Sequence, residues 1–256
     1  MKFKLKLYLE KSVFGNILPI NYQYELSAVI YRILSSGDNE YALWLHDNGF
    51  LKELKQFKFF TYSPLLIRSF KQIDDRLSIY NDVVEWYITF LPDKSTETFI
   101  RGIFTDRIFQ LGDKKSKVQF RVQSIEALAP IKYQPEMTFQ SLSPICIVRR
   151  EENGGNTYLL PTDPDAAGTI LYSLKEKYHV WHKKPFAGDL SDYYFEVLDH
   201  PKPKLITIKI GTPEESKVKG YNCRFKIRLP EELMELLFET GIGSKGSQGF
   251  GMVKRG

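Results

Sequence analysis

Cysteine is scarce in this chain of 256 residues: Cys146 and Cys223 are the only two, and they form no CxxC pair. A disulfide framework or a cysteine-based zinc site is therefore not expected. Histidine is nearly as scarce, with His46, His179, His182 and His200. Only His179 and His182 are close in sequence, and no HExxH or paired acidic motif accompanies them. Neither a structural metal nor a cofactor is expected. No apolar run approaches the roughly 20 residues of a membrane-spanning helix. The opening Met1-Lys2-Phe3-Lys4-Leu5-Lys6-Leu7 alternates lysine with apolar residues. A signal peptide would follow its charges with an unbroken apolar stretch, so the expected location is the cytoplasm, with no membrane partner.

What is present is a globular composition, 43% hydrophobic and 26% charged. At about 150 residues per domain the length suits one large domain or two small ones. The net charge of +5 is small, but it is unevenly placed. Residues 50–71 carry five bases and one acid, residues 202–228 eight and two, and residues 241–256 three and none. Those segments total +13, which leaves −8 for the rest.

Residues 2–9 alternate with period two and predict a half-buried strand. Residues 21–34 place Leu26, Val29, Ile30 and Ile33 on one helical stripe. A short helix follows at 39–47, with Gly49 just past its end. Strands are expected at 57–62, 65–70, 77–80 and 84–91, then a break at Pro92-Asp93, a helix at 95–104 and a long strand at 117–128. Residues 129–137 carry Pro130 and Pro135 and no clear period, and read as a linker. The pattern then repeats: a strand at 144–150, a helix at 164–178 capped by Asp163, strands at 194–199, 205–210 and 223–229, a helix at 230–239 and a strand at 250–254. Two β-α-β-β-α-β passes predict an α+β protein of two tandem ferredoxin-like (RRM-like) domains, residues 1–130 and 136–256. That fold hosts many unrelated functions.

The most unusual stretch is Gly241-Ile242-Gly243-Ser244-Lys245-Gly246-Ser247-Gln248-Gly249-Phe250-Gly251-Met252. Gly241, Gly243 and Gly246 match a GxGxxG string, yet that fingerprint must follow a strand and open a helix. Here it follows a helix and precedes a strand, so a dinucleotide enzyme is a poor third reading. What remains is a glycine-rich loop whose N–H groups can approach phosphates, with Lys245 as a point charge, or a plain connection with a helix cap at Gly241.

The string GIGSKGSQGFGMV resembles the C-terminal glycine-rich loop of the CRISPR-associated endoribonucleases that cut precursor CRISPR RNA, the Cas-six family. Leu45-His46-Asp47-Asn48-Gly49-Phe50, followed by Phe57-Lys58-Phe59-Phe60-Thr61-Tyr62-Ser63, is similar to the family's histidine segment and the strand after it. Leu142-Ser143-Pro144-Ile145 is similar to the opening of its second domain. The resemblance implies a metal-independent endonuclease of antiviral defence. In it the RNA's own 2′-hydroxyl attacks the adjacent phosphate within the repeat, leaving a 2′,3′-cyclic phosphate and a 5′-hydroxyl. It implies CRISPR repeat RNA as partner, names other CRISPR effector-complex subunits as further partners, and leaves a homodimer open. The residues matching the family's catalytic set are Tyr31, His46 and Lys52, with His46 as general acid or base, Tyr31 as its partner and Lys52 beside the phosphate. Structural roles compete with each: a helix-end histidine bonded to a carbonyl, a packed aromatic, a solvated lysine. Some family members lack the histidine and bind RNA without cutting it, so the alternative is a non-catalytic repeat-RNA-binding subunit.

For RNA binding the loop offers Gly243, Lys245, Gly246, Gln248 and Gly249. In the strand at 223–229, Arg224, Lys226 and Arg228 alternate with apolar residues, which makes one face fully basic. Few acids lie in the same segment to pair with them; lysines guarding an exposed edge are the competing reading. No aromatic is assigned as a base-stacking platform, and His179, Trp181 and His182 are a weaker candidate.

Overall fold

The structure is a computed structural model that describes residues 1–53, 55–91, 94–151 and 154–256. The break expected at Pro92-Asp93 lies outside the described residues. The chain is a mixed α/β protein with two principal sheets.

β1 (Lys2–Leu9) sits at the middle of the first sheet. Its period-two pattern buries Phe3, Leu5, Leu7 and Leu9 almost completely. The other strands are β2 (Phe60–Tyr62), β3 (Val83–Phe90), β4 (Ile108–Gly112) and β5 (Lys117–Ala127). The antiparallel order is β2-β3-β1-β5-β4. Helices α1 (Gln23–Gly37), α2 (Asn39–Asp47) and α3 (Lys94–Thr105) complete this half. α1 buries Leu26, Val29, Ile30, Ile33 and Leu34 in the same cluster as the strands. α1 and α3 touch backbone to backbone: a Cβ on Gly102 would lie 1.8 Å from the Ile33 carbonyl oxygen, so only glycine fits there. α2 starts where Asp38 accepts from the Tyr41 N–H at 2.9 Å, a side-chain N-cap.

The second sheet holds β6 (Glu136–Ser141), β9 (Tyr194–Val197), β12 (Arg224–Arg228) and β13 (Val253–Arg255), ordered β9-β12-β6-β13. Between them in sequence come β7 (Ile147–Arg150) and β8 (Asn156–Leu159), a hairpin, and the paired strands β10 (Lys202–Ile208) and β11 (Ser216–Asn222). Helices α4 (Ala166–His182) and α5 (Glu231–Thr240) pack Ile170, Leu174, Leu233 and Leu237 on Phe225 and Ile227.

Several elements differ from the sequence expectation. Residues 136–137, read as the end of the linker, and residues 138–141, given no element, form the inner strand β6. The strand expected at 144–150 shortens to β7 and lies outside the second sheet. Of residues 65–70, Leu66 makes an isolated bridge to Glu85 and Phe70 opens a separate strand, Phe70–Ile73, that pairs with Arg76–Ile79. The run 57–62 is broken at Phe59, which has φ 48°. Asp163 does not cap the helix after it; its carboxylate accepts from the Leu160 N–H at 2.7 Å, and α4 begins at Ala166. Both cysteines are free and buried. No helix among the described residues is long and apolar enough to cross a membrane.

Candidate functional site

The turn at Asp38 folds α2 back beside α1 and brings Tyr31 to His46. Their ring centroids are 5.0 Å apart and edge-on, at 83°. Tyr31 also meets Phe60 edge-on at 5.9 Å. Burial holds its phenol well above the ordinary tyrosine range, so the hydroxyl keeps its proton. His46 is open to solvent, and its Nδ1 lies 2.7 Å from Asp47 Oδ1. A carboxylate only accepts, so the neutral ring carries its proton on Nδ1 and presents an unprotonated Nε2. Lys58 grips the end of α2 by donating to the carbonyls of Leu45 and His46. A cation there suits the negative end of a helix.

Lys52 lies on a short hairpin formed by Phe50–Lys52 and Lys55–Phe57. Its ammonium donates to Glu176 Oε1 on α4 at 2.6 Å, and Lys55 lies 3.7 Å from the other oxygen. Burial alone would raise the Glu176 carboxyl, but the hydrogen bond from Lys52 and the two lysine charges hold it below the usual range.

Between this hairpin, α4, the β7–β8 hairpin and the glycine-rich loop lies a cavity of about 920 Å³. Lys55, Lys58, Arg149, Arg150, Lys177 and Lys245 line it, against the single acid Glu176 among the described lining residues. Tyr31, His46 and Lys52 do not line it, but two residues bonded to them do: Lys58, which holds the His46 carbonyl, and Glu176, which holds Lys52. Such an excess of fixed cations in a concave surface favours a polyanion.

The glycine-rich loop closes one wall and is docked on the first half. Gln23 donates to the Gly249 carbonyl at 2.5 Å, Ser27 to the Ser247 carbonyl at 3.0 Å and Thr61 to the Phe250 carbonyl at 2.8 Å. Gly243 and Gly249 are buried in the left-handed region, at φ 76° and 83°. A Cβ on Gly249 would meet the Tyr62 ring at 2.6 Å. These two glycines therefore serve close packing. Lys245, Gly246 and Gln248 stay partly exposed, although the Gln248 Oε1 is turned inward and has no partner among the described residues.

The basic strand is elsewhere. Phe225 and Ile227 of β12 face the helices, so Arg224, Lys226 and Arg228 project from the opposite, open face of the sheet. The cavity is on the α4 side, so the expected RNA-binding residues are divided between two surfaces. The basic face is not acid-free either. Glu136, across the ladder from Arg228, lies 2.5 Å from Lys226 and 4.0 Å from Arg228, and Asp192 lies 3.6 Å from Arg228. The sparing acids of residues 202–228 were a poor guide because the partners come from β6 and the loop before β9. Arg150, Tyr172, Glu176 and Lys177 were not singled out by the sequence. Lys177 had one signal: it continues the apolar stripe Ile170, Leu174, Tyr178 at helical spacing, where a lysine is out of place. Among the described residues no group of three or more His, Cys, Asp or Glu is arranged to hold a metal ion.

The family model described as "CRISPR associated protein Cas6, C-terminal" matches residues 126–255, and "CRISPR-associated protein Cas6, N-terminal" matches residues 17–126. The chain belongs to the Cas6 family of CRISPR-associated proteins. Particular relatives extend over nearly its whole length. The CRISPR-associated endoribonuclease Cas6 1 of Methanocaldococcus jannaschii is 29% identical over 254 residues, covering 98% of this chain and 91% of the relative. The CRISPR-associated endoribonuclease Cas6 of Pyrococcus furiosus is 29% identical over 262 residues, covering 99% and 89%. A solved structure described as "An RAMP protein binding different RNA substrates" superposes with a TM-score of 0.81 at 26% identity, covering 100% of this chain and 99% of the other.

Proposed function

We propose that this chain is an endoribonuclease that cuts precursor CRISPR RNA within the repeat. The 2′-hydroxyl attacks the adjacent phosphate without a metal ion, giving a 2′,3′-cyclic phosphate and a 5′-hydroxyl. We read its halves as two ferredoxin-like domains, residues 1–130 and 136–256, since each sheet has the order in which a β-α-β-β-α-β chain folds up. The observation that carries the reading is the edge-on Tyr31–His46 pair beside a basic cavity, in a chain of the Cas6 family.

The reaction needs an acceptor for the 2′-hydroxyl proton, a donor for the leaving 5′-oxygen, and positive charge near the pentavalent phosphorus. Nε2 of His46 is the acceptor, facing away from the Nδ1 that Asp47 holds. The neutral phenol of Tyr31 is the donor. Each such proton transfer is worth roughly 10²- to 10⁴-fold. Lys52 supplies positive charge as negative charge develops, an effect of about 10²- to 10³-fold for one well-placed group. Lys245, Gly246 and Gln248, with Arg224, Lys226 and Arg228, remain the proposed direct RNA contacts, on two faces that one RNA would have to wrap, while Gly243 and Gly249 would act by shaping the loop.

The test is repeat RNA incubated with the protein and a chelator, with and without a 2′-deoxy sugar at the cut site. Cleavage to a cyclic-phosphate product that the deoxy sugar abolishes supports the reading; cleavage of the deoxy substrate overturns it. One observation favours the second reading, a non-catalytic repeat-RNA-binding subunit: Lys52 is tied to Glu176 and must leave it to face a phosphate. Tight binding with no cyclic product would establish that alternative.

A further inference from the structure

Lys177 is the buried cation of the cavity. It is 8% exposed, on the inward stripe of α4, and its Nζ donates to the Gly241 carbonyl at 2.6 Å. An ammonium has three donors, and among the described residues this carbonyl is the one partner recorded for it. Among the described residues lining the cavity, no carboxylate is left over to neutralise it. On its own helix, Glu176 is taken by Lys52. On α5, Glu239 is taken by Thr89 and the terminal amine. On the β7–β8 hairpin, Arg149 is taken by Glu151 and Asp165. The other charged groups among the described wall residues are Lys55, Lys58, Arg150 and Lys245, all positive. Burying a cation without a counter-ion is costly, and a leucine or methionine at this position would remove the cost.

We propose that the missing counter-ion is an RNA phosphodiester, which enters the cavity beside Lys245 and Gly246 and is bound by the Lys177 ammonium. The same ammonium fixes Gly241, the first residue of the glycine-rich loop, so it couples occupation of the cavity to the position of the loop. This rests on the cavity being the RNA site of the proposed function. Burial pushes the free Lys177 down to about 7, and an adjacent phosphate favours its charged form. RNA binding therefore takes up a proton near neutrality. Above the free value and below the bound one, affinity falls by up to about tenfold per pH unit.

The experiment measures binding of a repeat RNA with a 2′-deoxy sugar at the cut site, and of an unrelated single-stranded RNA of equal length, at pH 6 to 9. Wild type, Lys177→Met and Lys177→Arg are compared, with thermal melts to show that each is folded. Wild type should lose affinity between pH 7 and pH 9. Lys177→Met should bind more weakly at pH 6 and lose that slope. Lys177→Arg, which stays charged, should bind without the slope and provides the test should the methionine variant not fold. The same slope in the variants, or none in wild type, overturns the proposal and assigns any pH effect to His46 or another group. A Lys177-dependent slope on both RNAs with no preference for the repeat upholds the phosphate site and overturns the repeat-RNA reading. No binding of either RNA overturns both.

Discussion

Gly243→Ala strikes the glycine-rich loop where it is most tightly packed. Gly243 has φ 76°, and a left-handed backbone costs a residue bearing a Cβ roughly 1–2 kcal/mol. The new Cβ would also stand 2.4 Å from the Cys146 carbonyl oxygen. That atom is backbone, and it already accepts from the Ser244 N–H at 2.8 Å, so it cannot swing aside as a flexible side chain does. Overpacking of this kind adds about 1–3 kcal/mol. The sum is a destabilisation of about 2–5 kcal/mol, or roughly 4–20 °C of Tm for a chain of this size. Gly15→Ala is the control. It also has a positive φ, 80° with ψ −152°, but no heavy atom among the described residues within 4 Å of the added Cβ, so only a backbone cost of about 1–3 kcal/mol applies. Calorimetric melts of the two variants beside wild type read the difference directly. Equal Tm values for Gly243→Ala and wild type, with RNA binding lost, would refute the argument that this glycine serves packing.

Four other variants probe the site and the two basic surfaces. Tyr31→Phe keeps the ring against His46 and Phe60, so the fold should lose no more than about 1 kcal/mol while cleavage falls by about 10²- to 10⁴-fold; melts and single-turnover rates check the two halves of this statement. Glu176→Gln should cost about 1.5–3 kcal/mol at neutral pH, the value of a hydrogen bond to a charged group. Glu176 is held below its ordinary value in the folded protein, so its contribution is full above the unfolded value and is lost as pH falls through the folded one. Melts of wild type and variant should converge in acid. Arg150→Ala and Arg228→Ala address the two basic surfaces: each should lower the slope of log affinity against log salt by about one if its side chain meets a phosphate, and a variant that leaves the slope unchanged removes that face from the RNA path.

The sequence was most informative where pattern and punctuation agree. Lys2–Leu9 is a strand because lysine and apolar residues alternate, and Asn39–Asp47 is a helix because Asp38 can cap it and Gly49 can end its trailing turn. The strand at 136–141 was missed, its start read as linker, because Pro130 and Pro135 suggest loop, and six residues with only Met137 and Phe139 facing inward give little periodicity. The site was legible in a different way. Tyr31, His46 and Lys52 were singled out through a family resemblance, and nothing local said that the first two would stack edge-on. Lys52 and Glu176 lie 124 residues apart, and Glu136 reaches Lys226 only through the register of β6 on β12. Pairings of that kind are set by the packing of the two halves and of the strands within a sheet, and local charge counts miss them. The glycines were noticed as a phosphate approach, yet Gly243 and Gly249 turn out to be close-contact residues, because a GxG pattern does not say which backbone lies opposite.

The central claim is that His46 performs chemistry and does not merely shape the site. Its side chain is exposed, bonds Asp47 and sits edge-on to Tyr31, so its removal should leave the fold intact. Cleavage and binding of repeat RNA by His46→Ala, measured side by side in chelator, is the most direct test. The account predicts that the cyclic-phosphate product disappears while affinity for the repeat stays within a few-fold of wild type; undiminished cleavage by that variant would contradict it.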